Sequence, residues 1–218
     1  KSLKNVYESG IKNTSVVLQK DDIQNGELTQ AAKQKLVTEL QKVNTQLPTN
    51  TIITVSKGND VNNTVEVTYS DGTKTQMPLN RLATINRPTI NGTLTDADRT
   101  VSGTSLPNAT VTLTLQNDNS ITTTANSNGE WSVSLQNGQY LRKNDASNTK
   151  TLNVKQTFKN LESGITSANI AEGRTFEGLS LKYLAGSSVT ISPTTALVYK
   201  EQNNKKSLPN YLTVEWKT

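Results

Sequence analysis

T-V-S-G-T-S-L-P-N-A-T-V-T-L, residues 100–113, and N-S-N-G-E-W-S-V, residues 126–133, decide how this chain folds. Val111, Leu113 and Leu115 fall on one side of the first stretch, and Thr112 and Thr114 on the other. That period of two belongs to a strand with one buried and one wet face. Trp131, Val133 and Leu135 repeat it, and Thr100 to Thr104, Ile121 to Ala125 and Leu152 to Phe158 add further short runs. Leu106-Pro107-Asn108-Ala109, Asn117-Asp118-Asn119 and Asn128-Gly129 supply turns between them. Short strands at this spacing predict a small antiparallel β-sandwich over 88–170. With no cysteine to staple it, its centre depends on packing, and Trp131 is the expected anchor.

Toward the N-terminus the period changes. Leu28, Ala32, Leu36, Leu40 and Val43 recur at helical spacing, with Lys33, Lys35, Glu39 and Lys42 opposite them. Thr29 or Asn25 can cap this helix, and Pro48 ends it. Strand patterns return at Ile52 to Val55 and Thr64 to Tyr69, and Ser70-Asp71-Gly72-Thr73 reads as a hairpin turn. The chain then divides into an N-terminal extension or the end of a preceding module (1–26), a helix-plus-hairpin module (27–87), the sandwich (88–170), and a C-terminal β module or added strands (171–218). The fold class is mainly β and multi-module: a small α+β unit, an Ig-like antiparallel β-sandwich, and further strands. The linkers at Arg87-Pro88 and Ala171-Glu172-Gly173 are short and not Gly/Ser-rich, so limited flexibility is expected.

Composition narrows the function. Only 32% of the 218 residues are apolar and 19% charged, which suits several thin-cored modules better than one thick core. With no Cys and no His, disulfides, thiol nucleophiles, Cys- or His-ligated zinc and Ser-His-Asp catalysis are excluded. The net charge of +5 is dispersed, the sandwich region carrying six basic and six acidic residues, and no basic run exceeds a pair such as Lys205-Lys206. A nucleic-acid interface wants a clustered basic face with aromatics, which are 5% here. No apolar run reaches membrane-spanning length. A chain opening at Lys1 without Met or signal peptide is expected to be an excised segment.

Two stretches resemble known families. V-T-Y-S-D-G-T-K at 67–74 resembles the V-T-Y-P-D-G-T signature of Rib-type repeats of Gram-positive surface proteins, with Ser70 in the place of Pro. L-T-Q-A-A-K-Q-K-L at 28–36 and Q-L-P-T-N-T at 46–51 look like the helix and link of such repeats. Residues 100–113 and 126–133 look like a bacterial Ig-like module, whose pattern is V-x-G-T-x-x-P-G-A-T-V followed by D-x-x-G-x-W-S-V. Asn108 replaces the usual Gly, implying a slightly different turn. The resemblance implies a secreted, wall-displayed, non-catalytic surface protein of the type of the giant staphylococcal matrix-binding adhesins, anchored through a region outside this segment. It implies no ligand, since such modules serve as binders and as spacers.

Several residues invite chemistry and have a plainer reading beside it. Leu47-Pro48-Thr49-Asn50-Thr51 imitates a sorting signal, but Asn50 holds the required Thr position and no apolar tail follows, so a helix stop is expected. Asp96-Ala97-Asp98, with Asn91 and Asn128, offers oxygens to Ca²⁺, against an ordinary turn with solvated acids. A Lys–Asn isopeptide crosslink would replace missing disulfides, but no set of residues stands out for it. Asp21-Asp22 is the adjacent acid pair a glycosidase reading would need, and a solvated pair is expected. Tyr140, Tyr199 and Tyr211 can stack on sugars or sit half-buried on strands. The expectation is a non-enzyme with no cofactor, no metal site, no assigned catalytic residue and an unknown ligand site. Its partner would be a host extracellular-matrix protein such as fibronectin or fibrinogen, with no nucleic acid and no membrane insertion. A stalk that displays a distal binding domain is the alternative, and a carbohydrate-binding module the third reading.

Overall fold

Residues 1–56 and 64–173 are described by the computed structural model, together with the backbone of strands at 175–176, 188–192, 198–199 and 213–217. A short helix α1 (Leu3–Tyr7), capped by the Ser2 hydroxyl, opens the chain. Strand β1 (Val16–Leu18) follows, then a two-strand hairpin of β2 (Ile23–Gln24) and β3 (Glu27–Leu28). Helix α2 (Gln30–Val43) begins where the Thr29 hydroxyl accepts the Ala32 N–H. It covers an antiparallel sheet of β4 (Ile52–Ser56), β5 (Thr64–Thr68) and β6 (Lys74–Pro78). The β5–β6 turn closes through Tyr69 N–H to Thr73 C=O, with Gly72 at φ +83. Strand β7 (Ala83–Ile85) pairs in parallel with β1, so residues before Gly26 supply Ile11, Val16 and Leu18 to the same core as Leu36, Leu40, Val65 and Val67.

Two positions of the predicted helical stripe depart from it. Leu28 is buried, but as the last residue of β3, because Thr29 is the cap. Val43 is 40% exposed. The helix closes one residue later on the buried Asn44, whose Nδ2 donates to the Leu40 and Lys12 carbonyls and whose Oδ1 accepts the Lys12 N–H.

The second module is the sandwich. One sheet holds β8 (Thr89–Ile90), β9 (Thr100–Thr104) and β12 (Glu130–Ser134). The other runs β11 (Ser120–Thr124), β10 (Thr110–Thr114), β13 (Leu152–Phe158), β14 (Leu161–Glu162), with β15 (Thr166–Ala168) also on β13. Between them pack Val101, Val111, Leu113, Trp131, Val133, Leu141 and Val154. The sequence pattern has a steric reason. Gly103 pairs with Trp131, and a Cβ there would collide with the Thr89 carbonyl and stand 2.6 Å from the indole Cζ2. Gly129, at φ +80, lies against the Ser105 carbonyl. Asn108 takes φ +61, the left-handed conformation that a Gly would also supply and that Asn tolerates better than most residues. C-terminal to the sandwich, the backbone forms a parallel pair, β16 (Thr175–Phe176) with β18 (Val198–Tyr199), and an antiparallel pair, β17 (Ser188–Ser192) with β19 (Thr213–Lys217).

The two modules share a core. Leu106, Ala109 and Leu161 of the sandwich are buried in the cluster built on α2 and β5. Above them sits the fully buried Gln156: its Oε1 accepts the Leu106 N–H at 2.8 Å and its Nε2 donates to the Asn86 carbonyl at 2.6 Å. Asn86 N–H in turn donates to Leu18 C=O. A parallel bridge from Ile85 to Ser163 joins the sheets of the two modules. The Thr166 hydroxyl holds the Pro88 carbonyl. At the far end Ala171 bridges Thr95 and the Gly173 N–H donates to Asp96 Oδ1, in a space with no room for a Cβ at 173.

Two stability effects follow. Gly103→Ala destabilises by about 3 kcal/mol, since backbone must move to admit one methyl; thermal unfolding reads it. Gln156→Ala strands both the Leu106 N–H and the Asn86 carbonyl and costs about 2–5 kcal/mol. In a Trp216→Phe background, the Trp131 fluorescence and helical far-UV transitions of the parent coincide in urea, and those of Gln156→Ala separate.

Candidate binding surfaces

Strand β11 pairs with β10 on one side, and its other side is an edge that no described strand covers. Leu115 N–H donates to Asn119 C=O at one end of this hairpin and Ala125 N–H to Ala109 C=O at the other. The antiparallel alternation between these ends directs the backbone of Ile121 and Thr123 toward β10 and that of Thr122 outward. Ser-Ile-Thr-Thr-Thr contains no charge and no proline, the devices that usually block a free edge. Strand β4, at the edge of its own sheet, carries Ile52 at 60% exposure.

A second feature lies at the joint. An open polar groove is lined by Asn80 and Thr84 from the first module and by Thr157, Lys159, Asn160 and Glu162 from the second. Lys159 and Asn160 are the two-residue turn between β13 and β14. Lys159 adopts φ +54, where Gly is usual. Its ammonium lies 5.7 Å from the Phe158 ring centroid and 3.9 Å from Glu27 Oε1.

The residues singled out from sequence are mostly occupied with local structure. In 47–51 the Pro48 carbonyl accepts both the N–H and the hydroxyl of Thr51, and Asn50 turns at φ +68. Asp98 Oδ2 accepts the N–H and hydroxyl of Thr95, and Asp96 holds Gly173, so both carboxylates tie the exit loop together. Asn91 donates to the Ser102 hydroxyl, and the Asn128 carbonyl accepts from Lys20. Among the described residues no group of three or more His, Cys, Asp or Glu could hold a metal ion. Asp22 caps its own turn through the Gln19 N–H. The ion-paired lysines, such as Lys42, Lys74 and Lys150, face carboxylates rather than side-chain amides. Tyr140 is half-buried, Tyr211 lies outside the described residues, and of Tyr199 the backbone alone is described.

The carboxylates with shifted pKa values move down, opposite to the direction a general acid needs. The Leu3 N–H and then the Thr73 hydroxyl lower Asp71, the Ser147 hydroxyl lowers Asp145, and Gln76 with Lys74 lowers Glu66. Each of these groups secures a turn or strand.

Residues 87–160 match the family described as the Bacterial Ig domain. Among curated proteins, none matches the chain. Two solved structures are similar in part. One is titled "Biofilm associated protein - BSP domain", at 14% identity and TM-score 0.35, covering 50% of this chain and 19% of that one. The other is titled "Sialic acid binding region of Streptococcus Sanguinis SK1 adhesin bound to 3'sLn", at 15% identity and TM-score 0.28, covering 75% of this chain and 46% of that one. This chain therefore spans less than half the length of either.

Gln156 and Leu161 at the joint do not stand out in the sequence, and Leu106, which reads as a turn residue, is buried there. A signal for the first was present: Leu152, Val154 and Gln156 occupy successive inward positions of β13, and a glutamine in an inward slot needs partners. At the turn beside it, Lys159→Val is less stable than Lys159→Gly by about 1–2 kcal/mol, because a β-branched residue resists positive φ. Lys159→Gly stays within about 1 kcal/mol of the parent, since the relief of positive φ offsets the loss of the partly exposed contacts with Glu27 and Phe158. Urea unfolding of both variants makes the comparison.

Proposed function

We propose that this chain is a non-catalytic segment of a Gram-positive bacterial surface adhesin, displayed outside the cell and attached to the wall through a region beyond this segment. In this reading residues 27–87 are a Rib-like module and 88–170 the Ig-like module. The observation that carries it is the Bacterial Ig domain match at 87–160, over a sandwich that shares a core with the first module and whose strand β11 is an edge among the described residues. No helix among the described residues is long and apolar enough to cross a membrane. The neighbour titles, one a biofilm-associated protein and one an adhesin region, are in keeping with this reading.

Attachment proceeds by strand addition. An extended segment of a host matrix protein, such as fibronectin or fibrinogen, pairs with the outward backbone of β11, which requires no dedicated side-chain chemistry. A stalk that carries a distal binding head is the second reading, favoured by the Gln156 clamp, since a spacer must hold its modules in line.

Biolayer interferometry of the purified chain against immobilised fibronectin, fibrinogen and collagen separates the two. Saturable binding that survives moderate salt, and that Thr122→Pro abolishes by removing an outward donor, supports strand addition. Silence across the panel from folded protein supports the stalk.

A further inference from the structure

Six side chains form one row that crosses both modules. Val17 pairs with Thr84, and Thr157 pairs with Glu162 on one side and Thr110 on the other. Thr110 pairs with Thr124. The parallel bridge from Ile85 to Ser163 brings Thr84 beside Glu162, and both line the groove at the joint. The order across strands is therefore Val17, Thr84, Glu162, Thr157, Thr110, Thr124. Their chain neighbours Ala83, Ile85, Ala109, Val111, Leu161 and Gln156 are buried, so the row faces solvent. At the usual strand spacing it is about 24 Å long. A second row, Thr122, Thr112 and Lys155, runs beside it on the sandwich.

The four threonine hydroxyls, the Glu162 carboxylate and the Asn80 and Asn160 amides make no hydrogen bond with other described residues. Exposed polar groups are ordinarily just hydrated, but these differ in being fixed. Threonine is stiff at χ1, the strands are locked in register, and the Gln156 clamp holds the two halves of the row together. Such order lowers the entropy cost of binding. Charge narrows the ligand. Glu162 is offset in sign by Lys155 of the adjacent row, and Lys159 is paired with Glu27, so the track is near neutral and repels or attracts neither a polyanion nor a polycation strongly. Its apolar content is Val17 at one end, too little for a lipid or an apolar helix. Hydroxyls, amides and a lone carboxylate at strand spacing match the hydroxyls of a sugar chain, whose hexose repeat is close to that spacing.

We infer that this row is a binding track for an extended, uncharged polysaccharide laid across the strands of both modules. It is distinct from strand addition at β11, using side chains of the sheet face where the other uses edge backbone, so either can fail alone.

The test is affinity electrophoresis of the full chain, which carries a net charge of +5 and migrates to the cathode, in native gels containing hydroxyethylcellulose, laminarin or dextran. Retardation by at least one polymer is expected. The isosteric pair Thr110→Val with Thr157→Val weakens it roughly tenfold, as two lost hydrogen bonds would, and Glu162→Gln, which leaves the threonines intact, weakens it independently. Thr54→Val, on exposed β4 outside the row, leaves it unchanged. Absence of retardation in all three polymers, equal retardation of the row variants and the parent, or an equal loss in Thr54→Val overturns the inference.

Discussion

One buried side-chain amide holds this structure together. Gln156 lies on β13 of the sandwich, yet it receives the Leu106 N–H and donates to the Asn86 carbonyl at the end of the first module. A leucine would leave both backbone groups orphaned, and a glutamate could accept from one but not donate to the other. Around that amide Leu106, Ala109 and Leu161 leave the sandwich's own core for its neighbour's. The apolar content of the chain is low, and sharing a core lets two thin modules bury more surface together than either could alone. The joint groove, the bridge between the two sheets and the row of threonines all lie across this joint.

The family pattern of the sandwich, by contrast, is made of steric necessities. Gly103 lies where the Thr89 carbonyl and the Trp131 ring leave no room for a Cβ, Gly129 meets the Ser105 carbonyl, and Asn108 takes the positive φ of a glycine. The two glycines carry no side chain to offer a ligand, and Asn108 is selected by its backbone conformation. A match to such a pattern therefore speaks for the fold and is silent about what is bound. Much of the remaining polarity is absorbed locally: Asn44 closes α2, Asn144 and Asn148 brace their loop, and Asp96 and Asp98 tie the exit. Trp131 anchors its core at the cost of an indole N–H without a partner among the described residues.

Local periodicity and turn chemistry were legible in the sequence. The α2 stripe through Ala32, Leu36 and Leu40, the hairpin at Gly72 and the alternation of β10 and β12 follow from side-chain period and from the φ that glycine permits. Each is decided within a few residues, where propensity and burial agree. Even there the tertiary structure adjusted the ends: Leu28 joined a strand, and Val43 stayed exposed as Asn44 took over the closure.

What the tertiary structure decided is everything that depends on register and long-range pairing. Nothing in Val16–Leu18 announces a parallel partner at Ala83–Ile85, and nothing in L-P-N-A announces that Leu106 is buried against another module. The outward threonines could be read from β10 alone, but that they align with Thr84 and Glu162 across the joint depends on strand pairings and one bridge between residues far apart in sequence. A period describes which face of a strand a residue occupies; which strand lies beside it is settled by the packing of the whole chain.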